Sequence, residues 1–369
     1  MNQLIPMNDL GAQYLRYKNE IDAAISSVIR SGQFINGPVV RRFEEQFSAF
    51  LGGAHVIACA NGTDALQIAL MALDLQPGDE VITTPFTFGA TAEVIGLLKL
   101  KVVFVDIDQS TFCIDPAKIE AAITPRTRCI IPVHLFGTHA DMDSMMAIAK
   151  KHDLYVIEDA AQSVGASYTS KNGDIFASGT MGHIGTTSFF PSKNLGCYGD
   201  GGALITRDQN LAERIRMIAN HGSKKKYQHE IIGVNSRLDA IQAAILSVKL
   251  DHLRADVEAR IAAAAIYNHL LSSRSYCVTP GHLPESTHSY HQYTIRLSDR
   301  NEAASRLKAA GVSSMVYYPF PLHKQPAFAF AEQQDSIFPE CEQACREVLS
   351  LPIYPDITKE QIQKVVANI

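Results

Sequence analysis

Lys193 closes the run Thr186-Thr187-Ser188-Phe189-Phe190-Pro191-Ser192-Lys193 and stands just before the glycine-rich stretch Leu195-Gly196-Cys197-Tyr198-Gly199-Asp200-Gly201-Gly202. An apolar, β-rich segment thus delivers one lysine into a turn. Upstream, Val156-Ile157-Glu158-Asp159-Ala160-Ala161-Gln162 reads as a hydrophobic strand ending in a carboxylate. A lysine amine forms a Schiff base with an aldehyde, and a carboxylate keeps a pyridine nitrogen protonated; pyridoxal phosphate (PLP) chemistry needs both. A solvated loop lysine and a helix-capping aspartate are the ordinary explanations of the same residues. An anion site nearby changes the balance.

That site is Asn61-Gly62-Thr63-Asp64-Ala65-Leu66, which follows a strand and opens a helix. A helix N-terminus presents free N–H groups and the positive end of the helix dipole, which suits a phosphate monoester. Gly62 admits close approach of the anion, Thr63 adds a hydroxyl, and Ser188 is a second candidate ligand. In this reading Asp159 pairs with the ring nitrogen, Gln162 meets the phenolic oxygen and Phe88 stacks on the ring. Lys193 forms the imine and then carries a proton between the donor carbon and the cofactor.

The elements that must position these residues alternate. Strands are expected at 55–59, 80–84, 102–105, 129–133, 154–158, 186–190 and 203–206, and helices at 63–73, 90–98, 116–122 and 142–152. Such alternation predicts an α/β fold, a mainly parallel sheet between helices with ligands bound beyond the strand carboxyl ends. Leu238, Ile241, Ala244, Ile245 and Val248 recur at helical spacing and predict a long helix over 236–271. With 369 residues, two domains are expected: a large PLP-binding domain over 1–251 and a smaller one over 252–369, with a strand at 290–297 and a helix at 302–310.

A net charge of -5 argues against nucleic acid as the main partner, and Lys224-Lys225-Lys226 reads as a solvated loop. Residues 1–13 lack the pattern of a signal peptide, and no apolar run reaches membrane-spanning length. The seven cysteines are dispersed, Cys341 and Cys345 alone share a helix face, and no metal site is expected. The expected compartment is the cytoplasm. His134, after the 129–133 strand, is a candidate contact to sugar or cofactor, whereas His282, His288 and His291 read as structural or surface residues. Gly179-Thr180-Met181-Gly182-His183-Ile184-Gly185 has the wrong spacing for a dinucleotide fingerprint.

The chain resembles the DegT/DnrJ/StrS family of sugar aminotransferases, enzymes of the fold-type-I PLP superfamily. Four blocks carry the resemblance: residues 60–66, 156–162, 188–196 and Gly233-Val234-Asn235-Ser236-Arg237-Leu238-Asp239. It implies that Gly62, Thr63 and Ser188 hold the phosphate, and that Phe88, Asp159, Gln162 and Lys193 take the roles above. It also implies a homodimer with shared sites, in which Asn235 reaches the phosphate of the partner's cofactor, and L-glutamate as the amino donor that leaves pyridoxamine phosphate (PMP). Residues 58–67, 195–202, Tyr318-Pro319 and 324–327 are similar to those of family members that aminate C3 of UDP-2-acetamido-2-deoxy-3-oxo-glucuronate, for surface polysaccharide or O-antigen precursors. Arg237 then has two readings: bidentate partner of the uronate carboxylate, or a group serving the interface or donor carboxylate. Tyr317, Tyr318 and His323 are further substrate candidates, although several 3-keto-sugar enzymes carry His-Tyr where this chain has Tyr317-Tyr318. Lys193 sets the chain apart from family dehydratases, which carry histidine there. Two alternatives are a different 3- or 4-keto-6-deoxy TDP- or UDP-sugar, and a non-catalytic regulator of the same fold.

Overall fold

A computed structural model describes residues 4–369. The chain opens with helices α1 (Leu10–Ser31) and α2 (Pro38–Phe50), then alternates: β1 (His55–Cys59), α3 (Gly62–Ala72), β2 (Glu80–Thr83), α4 (Ala90–Leu97), β3 (Lys101–Phe104), α5 (Pro116–Ile119), β4 (Thr127–Ile130), α6 (Met142–His152) and β5 (Tyr155–Asp159). A hairpin, β6 (Ser167–Thr169) and β7 (Ile175–Ala177), precedes β8 (Ile184–Ser188), β9 (Gly202–Thr206) and α7 (Gln209–Ala219). The Lys224–Lys226 run falls in a small exposed hairpin, β10 (Ser223–Lys225) with β11 (Gln228–His229), before the 32-residue α8 (Ala240–Leu271).

The main sheet has seven strands in the order β1-β9-β8-β5-β4-β2-β3. The pairs from β8 through β3 are parallel, while β9 runs against both of its neighbours. Alternate residues separate two cores, as period-two geometry requires. Ile57 and Leu204 join one with α3 and α4, whereas Val56, Ala58, Ala203 and Ile205 join another with α2 and α8. Burial on both faces explains the unbroken apolar character of these strands.

The C-terminal part contains β12 (Cys277–Val278), β13 (Tyr293–Leu297), α9 (Arg300–Ala309), α10 (Pro339–Glu347), β14 (Val348–Leu351) and α11 (Lys359–Val366). Its three strands form an antiparallel sheet. The fold is thus the expected α/β large unit with a smaller α+β C-terminal part. Position 251/252, where the domain boundary was expected, lies inside α8. Residues Ala240–Val257 of that helix pack with α2, and its end, Ala263 to Leu271, packs with β13 and β14. Leu322, Phe328, Phe338 and Cys341 return from the C-terminal part to the core of the main sheet.

Most strand and helix positions match the sequence reading within one or two residues. The reversed direction of β9 and helices α1, α2, α7 and α11 were not anticipated, whereas Cys341 and Cys345 do share a helix, α10. The strand expected at 186–190 stops at Ser188, because Phe189 turns to bond Gly201 and Phe190 faces solvent. Among the described residues no helix is long and apolar enough to cross a membrane, and no cluster of three metal-ligating side chains occurs.

Candidate active site

β5 and β8 lie side by side, and their carboxyl ends carry Asp159 and Ser188. Asp159 is buried; its Oδ2 accepts from Thr91 Oγ1 at 2.8 Å and its Oδ1 from the Ala161 N–H at 3.2 Å. Thr91 pairs in turn with Thr87, 3.0 Å away on the loop entering α4. These two groups orient the carboxylate and leave lone pairs for a cationic N–H. The preceding Glu158 points to the other side of the strand and is saturated. It accepts from the N–H groups of Gly179, Met181 and Gly182 and from His134 Nε2 at 2.8 Å.

His134 was expected at the ligand. It is instead wholly buried, with Nδ1 accepting from the Ala140 N–H at 3.2 Å and Nε2 spent on Glu158, so no ring nitrogen is left for a sugar. It braces the end of β5.

Lys193 sits in a loop closed by two backbone bonds, Lys193 N–H to Phe190 O and Cys197 N–H to Phe189 O, both 2.8 Å. Asn194 ties the loop to Val164 O and Ser289 O at 3.3 and 3.1 Å, and Lys249 Nζ donates to Gly196 O at 2.7 Å. Burial pushes the Lys193 amine down to about 8, against the opposing pull of Asp159. A substantial share is therefore neutral and nucleophilic near physiological pH. Among the described residues no hydrogen bond engages its Nζ. His291 is buried close enough for the Lys193 charge to join burial in pushing its ring well below the usual range. His288 is also buried, stacked on Tyr290 at 4.0 Å, and only His282 lies at the surface.

The start of α3 meets the end of β8. A methyl group at Gly62 would lie 2.8 Å from Ser188 Cβ, and one at Gly202 would lie 2.5 Å from Asn61 O. Asn61 caps the helix by accepting from the Asp64 N–H at 2.8 Å, and among the described residues the first-turn N–H groups of Gly62 and Thr63 have no partner. This tight cradle of backbone donors and hydroxyls, with Asp159 at the end of the next strand, fits a cofactor bearing both a phosphate and a pyridine nitrogen. Phe88 is 62% exposed, too open for a core residue, and it immediately precedes the helix that supplies Thr91.

Gln162 Oε1 accepts from the Phe136 N–H at 2.8 Å, and its Nε2 donates to Tyr318 Oη at 3.2 Å. Tyr318 thereby joins the Asp159 surroundings, with the Tyr317 ring 6.0 Å from its own. His323 does not: it is fully buried, edge-on to Phe338 at 4.7 Å and 3.6 Å from Glu342. Asn235 is exposed and Arg237 half-buried. Arg237 lines a surface depression of about 1280 Å³ with Arg41, Glu44, Arg216 and Lys224, whose walls include neither Lys193 nor Asp159.

Sequence reasoning missed Glu158, Thr91, Asn194 and Lys249 as supports. A glutamate inside an apolar strand and threonines four apart at a helix entrance were the available signals.

The sequence profile of the DegT/DnrJ/EryC1/StrS aminotransferase family matches residues 16–369. The chain belongs to this family. It is 48% identical over 365 residues to the UDP-2-acetamido-2-deoxy-3-oxo-D-glucuronate aminotransferase of Pseudomonas aeruginosa, covering 99% of each chain. It is 51% identical over 367 residues to the "Pleiotropic regulatory protein" of Geobacillus stearothermophilus, covering 99% of this chain and 97% of that one. The crystal structure of Streptomyces venezuelae DesV in complex with a ketimine intermediate superposes with a TM-score of 0.95 at 40% identity, covering 99% of this chain and 97% of that one. As a DegT-family member, the protein is a PLP-dependent sugar aminotransferase.

Proposed function

We propose that this aminotransferase moves the amino group of L-glutamate to C3 of UDP-2-acetamido-2-deoxy-3-oxo-glucuronate, as a cytoplasmic homodimer supplying surface-polysaccharide or O-antigen precursors. The observation that carries the site is the convergence of Gly62, Ser188, Asp159 and an unengaged, low-pKa Lys193 at adjacent strand ends. The full-length similarity to the Pseudomonas enzyme supports the sugar.

In this reading Gly62, Thr63 and Ser188 hold the phosphate and Phe88 covers the ring. Asp159, aimed by Thr91 and Ala161, keeps the ring nitrogen protonated, and Gln162 donates to the phenolic oxygen. When bound, PLP supplies an electron sink that eases removal of a proton from the carbon bearing the amine. Lys193 Nζ takes that proton and returns it, a role suited to an amine titrating near physiological pH. Asn235 is exposed and Arg237 lines a depression whose walls omit Lys193 and Asp159, which supports their serving the second copy's site, with Arg237 on the uronate carboxylate. Tyr317 and Tyr318 stand on the sugar side.

Glutamate should bleach the absorbance of the PLP-loaded enzyme, and a panel of 3- and 4-ketosugar nucleotides should restore it for one acceptor class only. Recovery with a neutral 4-keto-6-deoxy sugar but not the uronate would move the assignment elsewhere in the family. The similarity to the Geobacillus protein named as a regulator motivates a second reading, a regulator without turnover, which expects no spectral response to glutamate.

A further inference from the structure

Gln162 is fixed at both ends. Its Oε1 faces the Phe136 N–H at 2.8 Å; a backbone N–H only donates, so the amide oxygen must lie on that side and the amide cannot be flipped. Nε2 only donates, so Tyr318 Oη is the acceptor in the 3.2 Å bond between them. One of the two Nε2 hydrogens is thereby used, and among the described residues the other has no acceptor.

Both anchors are rigid. Phe136 sits in a left-handed turn at φ 59° and its carbonyl accepts from the Gln292 N–H at 3.1 Å. The rings of Tyr318 and Phe136 both stand edge-on to Phe86, at 5.9 and 6.4 Å. The titratable groups bearing on Tyr318 are Asp159 and Tyr317. Burial pushes its phenol up, opposed by the Gln162 bond and reinforced by Asp159, so it stays protonated at neutral pH. Lys193 and His291 complete the ionisable set around the site.

We propose that Tyr318 is a positioning residue for the cofactor: by occupying one hydrogen of Gln162 Nε2, it aims the other at the phenolic oxygen of bound PLP. The proposal rests on the reading of Gln162 given above, but not on the identity of the sugar. With PLP bound, a donor on its phenolic oxygen would draw charge away from that oxygen and lower the pH at which the bound cofactor gives up its titrating proton.

The test is a spectrophotometric pH titration of enzyme-bound PLP without any sugar. Tyr318→Phe keeps the ring against Phe86, and its midpoint should rise by about half a pH unit or more, roughly 0.7 kcal/mol or more. Gln162→Ala should raise the midpoint by itself, and adding Tyr318→Phe to it should change little further. An unmoved midpoint in Tyr318→Phe overturns the proposal, as does an equal rise in the Gln162→Ala background. A chain that takes up no PLP would sink the site itself, a failure visible before any titration begins.

Discussion

A half-buried lysine, Lys193, and a fully buried one, Lys249, meet at the same loop. Lys193 and Lys249 are each pushed down to about 8, chiefly by burial. They differ in what the amine touches. Lys249 Nζ donates to Gly196 O at 2.7 Å and lies 4.3 Å from the centre of the Tyr198 ring, whereas Lys193 Nζ has no partner among the described residues and faces the Asp159 charge. A depressed pKa therefore does not by itself separate the two lysines; the reacting role proposed for Lys193 rests on an unspent amine beside a carboxylate and an anion cradle. The neighbouring carboxylates repeat the contrast, since Glu158 is saturated by four donors while Asp159 keeps capacity for a ligand.

The largest expected separation is in turnover. Lys193→Ala should lower kcat with glutamate and the cognate ketosugar by about a thousandfold or more, and Lys249→Met by about tenfold or less. Equal losses would erase the distinction between reacting and bracing amines. Next comes stability: Glu158→Ala leaves three N–H groups and His134 without their acceptor and should cost about 3–5 kcal/mol in denaturant unfolding. Asp159→Asn should unfold near the wild-type midpoint yet lose most of its activity.

The third expectation concerns pH. Lys249 titrates near 8 when folded and near 10.5 when unfolded, so between those values the unfolded chain binds more protons. Stability linked to this group then rises with pH. Measured as the difference between wild type and Lys249→Met, which cancels the buried thiols and phenols, the wild type should gain about 2–3 kcal/mol across that window. A flat difference would mean that Lys249 is not held in a desolvated place. The smallest effect is expected for Tyr198→Leu, which removes the ring beneath the ammonium and should cost about 1–2 kcal/mol by thermal or denaturant unfolding.

The legible part of the sequence was its local chemistry. Lys193 and Asp159 announce themselves because each ends an apolar run, and the start of α3 because Asn61 and Gly62 suit a cap and a close approach. The supports were less visible, since they depend on contacts far apart in the chain: Gly62 against Ser188, Asn194 on Ser289, Gln162 on Tyr318. His134 misled because the end of a parallel strand is where ligands gather, yet its ring turns inward toward Glu158. The direction of β9 was hidden because residues 203–206 are buried on both faces whichever way they run. Helices α1 and α2 were not anticipated; both pack on α8, and α2 also packs on β1.

α8 runs unbroken past residue 251, and the stretch from Leu322 to Cys341 comes back to cover the main sheet. The two parts are thus interlocked rather than strung together. A chain truncated after residue 251 should sever a helix in mid-course and strip apolar cover from the large unit, so neither fragment is expected to be recovered as a folded, monodisperse protein. Opening and closing of the pocket would then fall to exposed segments such as the one bearing Phe88, not to a swing of one half against the other.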